Sequence, residues 1–181
     1  MHRFPLLRRL GAIALAAAAG SAGAAACKPH EHGALKIDVA VDGNQVTLVM
    51  EAPLDNLLGF ERAPRTDPEP KAAAAVLARL RSPGSGKPLF ALDAAAQCTL
   101  RKAEVQAPVL EPGAAPAQGE HADLDATYEY ACAQPGELRS LDVGLFEAYA
   151  RIRRIDVQVA GPKGQSKVTL QRPARQVPLA R

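Results

Sequence analysis

The chain has 181 residues, 22 of them Lys or Arg and 19 Asp or Glu, which is enough for one domain with one hydrophobic core. Three of the basic residues, Arg3, Arg8 and Arg9, fall in the first 26 positions, which carry no acid; the remainder is left with 19 of each sign and no basic field for nucleic acid or anionic lipid. Aromatic residues make up 4% of the chain and Trp is absent, so the core has to be built from Val, Leu, Ile and Ala.

The N-terminal stretch has the order of a secretory signal. Its three arginines precede an apolar run from Leu10 to Ala19, and small residues lead to Ala24-Ala25-Ala26, a fit to the A-x-A cleavage rule. The run is shorter than the roughly 20 apolar residues of a spanning helix. Residues 1–26 are therefore expected to be a signal peptide, leaving 27–181 as a single exported, periplasmic domain. Cys27 would be the first residue after cleavage, the position that carries lipid in bacterial lipoproteins. Ala24 stands where such signals usually have Leu, so ordinary cleavage is the preferred reading. Membrane attachment is expected only if Cys27 is acylated.

Leu35, Ile37, Val39 and Val41 alternate with Lys36, Asp38, Ala40 and Asp42, and alternation resumes at Val46, Leu48 and Met50. Asp42-Gly43-Asn44 between them predicts a tight hairpin. The following LDNLLGFERAPRTDPEP is rich in Pro and Asp and reads as a structured loop. Pro68 and Pro70 then introduce KAAAAVLARLR, a helix by composition, which Ser82-Pro83-Gly84 ends. Strands are expected around 89–92, 97–106, 124–132 and 138–143. A short helix is expected near 145–152, followed by a second hairpin whose strands flank Gly161-Pro162-Lys163-Gly164. Residues 107–122, APVLEPGAAPAQGEHA, form a low-complexity loop expected to bury little apolar surface. The architecture predicted is α+β, a mainly antiparallel sheet with two short helices.

Cys98 and Cys132 both lie in alternating segments on either side of that loop. In an oxidising compartment the two are expected to pair, closing a loop of about 34 residues. Neither has a Cys or His neighbour that would make it half of a metal site.

Signals for catalysis are scarce. The chain has no Ser-based nucleophile elbow, no Gly-rich phosphate loop and no HExxH helix, and it is not expected to be an enzyme. Asp123 and Asp125 read as a solvated strand edge. The histidines point elsewhere. His30 and His32 flank Glu31 just before the first strand, and in an extended segment positions i and i+2 face the same way. Two imidazoles so placed can share one Zn²⁺, Cu²⁺ or Ni²⁺ ion if other ligands join them; polar surface is the plainer account of the same pattern. His121, beside Glu120 and Asp123, is a further candidate donor.

The segment HEHGALKIDVAVDGNQVTLVMEAPLDNLLGFERAP resembles the opening of the ZrgA-like zinc uptake proteins of Gram-negative bacteria. That family opens with an HxHG segment, a strand, a DG turn and an NLxGFE stretch. Here these parts stand as His30-Glu31-His32-Gly33, Asp42-Gly43 and Asn56-Leu57-Leu58-Gly59-Phe60-Glu61. ATYEYAC and LDVGLFEAYARIRRIDVQVAGPKGQ are similar to the family's later part. The resemblance implies a periplasmic zinc-binding accessory protein that assists uptake, partnered by the metal ion and by a zinc transporter component. It also implies Glu61 as a third ligand and His121 as a fourth. Two positions depart from the family pattern. Residues 107–122 hold only His121 where the family's loop is often His-rich, and Arg62 follows Gly-Phe-Glu where His is common. A guanidinium has no lone pair for zinc, so the resemblance implies one site around His30 and His32 rather than a store of many ions. Asn56 and Gly59 are expected to hold a turn, and Phe60 to plug the core.

Overall fold

The computed structural model describes residues 31–111 and 122–179. The signal segment, Cys27, His30 and His121 lie outside these residues.

Two hairpins carry the main sheet. In the first, β1 (Ala34–Asp42) pairs with β2 (Gln45–Pro53) from Lys36↔Glu51 to Asp42↔Gln45. The two residues between them, Gly43 and Asn44, make the predicted tight turn, and Gly43 has φ 57°. A short helix, α1 (Leu54–Leu58), follows at once, and α2 (Pro68–Arg81) comes next with proline in its first turn. Then come β3 (Phe90–Leu92), β4 (Cys98–Gln106), β5 (Asp123–Cys132), β6 (Ser140–Val143) and α3 (Leu145–Ala148). The second hairpin, β7 (Arg154–Gly161) with β8 (Gly164–Gln171), precedes a last strand, β9 (Gln176–Pro178).

The six-stranded sheet runs β4-β5-β2-β1-β7-β8 and a smaller one runs β3-β6-β9. Every pairing is antiparallel except that of β1 with β7, which is parallel from Ala34↔Arg154 to Ala40↔Ala160. The alternation seen in the sequence sorts the faces. Leu35, Ile37, Val39, Leu48, Met50, Tyr128, Ile155 and Val157 are buried, while Lys36, Asp38, Glu51 and Asp125 are exposed. The same apolar cluster takes in Leu80 of α2, Phe90, Leu141 and Val143 of the small sheet, and Leu145 and Phe146 of α3.

The α+β class holds, with differences in detail that have physical causes. The stretch expected as a loop after β2 contains α1. It is five residues long, too short for a 3.6-residue period to show, and Gly59 ends it with φ 83° while its N–H donates to the Asp55 carbonyl at 2.9 Å. The helix expected over 145–152 stops at Ala148, because Arg153 and Arg154 donate their N–H groups to the Gly33 carbonyl and so enter the sheet. The loop 107–122 is packed at its ends: Ala107, Val109 and Ala122 are buried and Leu110 lies against the core. Asp125 is exposed, but β5 lies between β4 and β2, so it is not an edge strand. Asp125 sits opposite Glu51; partial burial and that like charge raise its carboxyl. Phe60 is only half-buried rather than a core plug.

Cys98 and Cys132 are direct partners across β4 and β5, and their sulfurs are bonded at 2.00 Å.

Candidate metal site

Two of the residues singled out in the sequence, His32 and Glu61, meet where β1 begins. Gly33 adopts φ 85°, a conformation that favours glycine, and a β-carbon there would lie 2.5 Å from Arg153 Nε. Its N–H donates to Asn56 Oδ1 at 2.6 Å. Its carbonyl accepts from the N–H groups of Arg153 at 2.7 Å and Arg154 at 2.9 Å. One residue on, the Ala34 carbonyl accepts from Asn56 Nδ2 at 2.7 Å. Asn56 is 1% exposed, and it uses both ends of its amide on Gly33 and Ala34, the two residues that follow His32. At neutral pH a carboxylate can only accept and an alkyl group can do neither, so neither takes the place of the amide here.

His32 is therefore held on both sides of its own peptide. Arg153 Nη2 also donates to the His32 carbonyl at 3.1 Å. Glu31, facing another way, takes a two-point ion pair from Arg154 at 3.1 and 2.8 Å. From this frame the His32 ring reaches Glu61: Nε2 and Oε1 are 3.2 Å apart. The His32 side chain is half exposed and that of Glu61 is 8% exposed, so the pair sits at the surface with the carboxylate sunk beneath the imidazole.

Two of the four candidate ligands thus face each other. Nitrogen and oxygen donors about 2.0–2.1 Å from a tetrahedral zinc ion lie roughly 3.3 Å from one another, so the observed separation fits two ligands on one ion. It equally fits a histidine–carboxylate ion pair, which a bound metal would replace. The donor types, one imidazole and one carboxylate, suit zinc. Among the described residues no cluster of three or more His, Cys, Asp or Glu forms a metal cage. The two other candidates, His30 and His121, lie outside those residues. Each is joined in sequence to an anchored point at this end of the sheet: His30 precedes Glu31, and His121 precedes Ala122, whose carbonyl accepts from the N–H of Leu54 at 2.9 Å. Leu54 opens α1, the helix that leads to Glu61.

The loop after α1 is held from its far side. Arg62 makes a fork on Glu69, Nη1 to Oε2 at 2.8 Å and Nη2 to Oε1 at 2.9 Å, and its guanidinium lies 5.0 Å from the centre of the Phe60 ring. Glu69 also accepts from the N–H groups of Arg65 at 2.6 Å and Thr66 at 3.3 Å in the lead-in to α2. The Arg62 fork, assisted by these backbone donors, holds the Glu69 carboxyl down at about 2. A carboxyl lowered from 4.5 contributes stability that is fully present above the unfolded value and fades as the pH falls toward the folded one. Urea unfolding at pH 7 and pH 3 should therefore show Glu69→Gln clearly less stable than wild type at the higher pH and the gap narrowed at the lower. A gap that stays constant would remove the carboxylate's charge as the cause.

Sequence reasoning did not find the part played by the arginines. Arg151, Arg153 and Arg154 fall in the run ARIRRID, where the helix expected over 145–152 ends, yet Arg153 and Arg154 frame His32 and Arg151 packs over Gly59. The signal available was the run itself, three cations within four residues at the mouth of an alternating strand.

The sequence model of the ZrgA family, described as zinc uptake proteins, matches residues 29–179. The chain belongs to the ZrgA family. The match spans the HxHG segment from His30, the α1 loop and both hairpins, so it covers every element that builds the His32–Glu61 pair. No curated protein matches the chain. A ZrgA family chain has a role in zinc uptake, and its described residues bring an imidazole and a carboxylate together on the framework that the family match covers.

Proposed function

We propose that the protein is a periplasmic zinc-binding accessory protein, with zinc as its cargo and no catalytic role, that assists uptake by passing the ion to a transporter component. The observation that carries this reading is the His32–Glu61 pair at 3.2 Å within a ZrgA family chain. His30 and His121 complete the donor set, giving three nitrogens and one oxygen for a four-coordinate ion. A disulfide in the fold accords with an oxidising compartment, and the first 26 residues supply the export signal. Membrane attachment enters only through acylation of Cys27.

Because zinc competes with protons for imidazole and carboxylate, binding weakens on acidification. A half-exposed imidazole also leaves the ion within reach of a partner's ligands, which suits a carrier more than a permanent structural metal.

Calorimetric titration of the purified protein with Zn²⁺ tests the reading. One ion per chain is expected. Replacing His30 and His32 together with Ala should weaken binding at least tenfold, and by more than His121→Ala, since His32 is held by the β1 frame. No zinc heat in the wild type, or unchanged affinity in the double variant, would leave a metal-free docking module as the better account.

A further inference from the structure

We propose that Arg62 and Glu69 form a latch that presets Glu61 toward His32, so that Arg62 is a positioning residue of the metal site although it cannot itself bind metal. The inference rests on the zinc reading above and concerns how that site is kept ready. Three consecutive side chains divide their tasks. Phe60 and Arg62 stack on one another with the guanidinium 5.0 Å from the ring centre, while Glu61 between them reaches His32. Arg62 is tied to Glu69 through two parallel hydrogen bonds and donates a third to the Ala63 carbonyl at 3.1 Å. Glu69, the second residue of α2, is in turn gripped by two backbone N–H groups. The chain on either side of Glu61 is thereby fixed to two helices: Gly59 closes α1 and Arg62 is bound to α2.

A carboxylate carried on a free loop would have to be ordered by the metal it binds, and that ordering weakens affinity; a loop already ordered avoids the loss. The fork has a second effect. Arg62 follows directly on a metal ligand, and a guanidinium left unengaged there would compete with a cation for the Glu61 carboxylate. Pairing it with Glu69 neutralises its charge and turns it the other way. Groups that hold a metal ligand in orientation typically change affinity 10- to 100-fold when removed.

The test is a double-mutant cycle read by Zn²⁺ affinity, with thermal unfolding recorded on each variant. Arg62→Ala and Glu69→Gln should each weaken zinc binding roughly tenfold in protein that is still folded at the titration temperature. Arg62→Lys, which keeps the charge but not the fork, should fall between wild type and Arg62→Ala. In a Glu61→Ala background neither change should weaken zinc further, because there is no carboxylate left to position. A latch of purely structural importance would lower the melting temperature without this dependence on Glu61. Affinities within twofold of wild type for both Arg62→Ala and Glu69→Gln, or an undiminished effect in the Glu61→Ala background, would overturn the proposal while leaving the zinc reading intact. Failure of Glu61→Ala itself to weaken binding would remove Glu61 from the site and the latch with it.

Discussion

Asn56→Leu should destabilise the protein by about 2–5 kcal/mol, more than most single changes outside the apolar core. Leucine has the branched shape of asparagine and is bulkier, so the substitution opens no cavity. What it removes is a donor and an acceptor that face the Gly33 N–H and the Ala34 carbonyl at 2.6 and 2.7 Å. The bond to Gly33 is shut away from water, since Asn56 is 1% exposed and Gly33 is buried, and the bond to Ala34 is partly so. An unsatisfied buried polar group costs about 1–3 kcal/mol, and here one buried and one partly buried group are left at once. For a domain of this size each kcal/mol shifts the melting temperature by roughly 2–4 °C. A fall on the order of 10 °C is therefore expected in a thermal melt, with a matching loss in urea. Asn56→Asp should also be damaging, because a carboxylate can accept from Gly33 but presents oxygen to the Ala34 carbonyl. A loss below about 1 kcal/mol for the leucine variant would mean that the strand finds other partners and that Asn56 is not the clamp.

Removing the disulfide should have an effect of similar size by a different route. Cys98 and Cys132 are separated by 34 residues in sequence, a loop whose closure constrains the unfolded chain by roughly 3–4 kcal/mol in the chain-entropy account. The bridge joins the first residue of β4, an edge strand, to the last residue of β5. Cys98→Ala with Cys132→Ala should keep the β4–β5 register, which seven residue pairs besides secure less permanently, yet unfold at a distinctly lower urea concentration. The two sulfurs are bonded to one another, so alkylating reagents should find no free thiol at either position in the oxidised wild type. Equal midpoints for the variant and the wild type, or labelling of both sulfurs without reductant, would remove the bridge from the account.

Much of the fold could be read from the sequence because the signals were long or chemically specific. Alternation from Leu35 to Asp42 and again from Val46 to Met50, on either side of the Asp42-Gly43-Asn44 turn, announced the first hairpin, and the Pro68 start gave α2 its boundary. The cysteine pairing was legible because both cysteines sat at the ends of alternating segments on opposite sides of one loop. Elements of three to five residues were not legible. α1 and β9 are shorter than any periodicity can reveal, and each exists because a neighbour accepts its backbone groups. The candidate site was legible in half. His32 stood out through its spacing from His30. Glu61 came only through the family resemblance, since a single Glu after Gly-Phe carries no pattern of its own. Arg153 and Arg154 were hidden for a plainer reason: sequence distance. Nothing near residue 153 indicates that its backbone will meet Gly33, because the parallel contact between β1 and β7 has no turn to announce it.

That parallel contact also sets the order in which the molecule can be completed. Each hairpin closes locally, as soon as its own two strands and turn exist, an event of microseconds. Joining them is a different kind of step. Ala34 must find Arg154 across most of the chain, and an encounter of that sequence separation is slow because the loop entropy is lost before the contacts are made. The Gly33 carbonyl receives both of its donors only in this step. An unfinished chain can hence display His32 and even the whole β1–β2 hairpin while still lacking the frame that fixes the ring. If the proposed zinc reading holds, readiness to hold the ion is in this sense a checkpoint on the whole fold, granted when the C-terminal hairpin docks beside the N-terminal one.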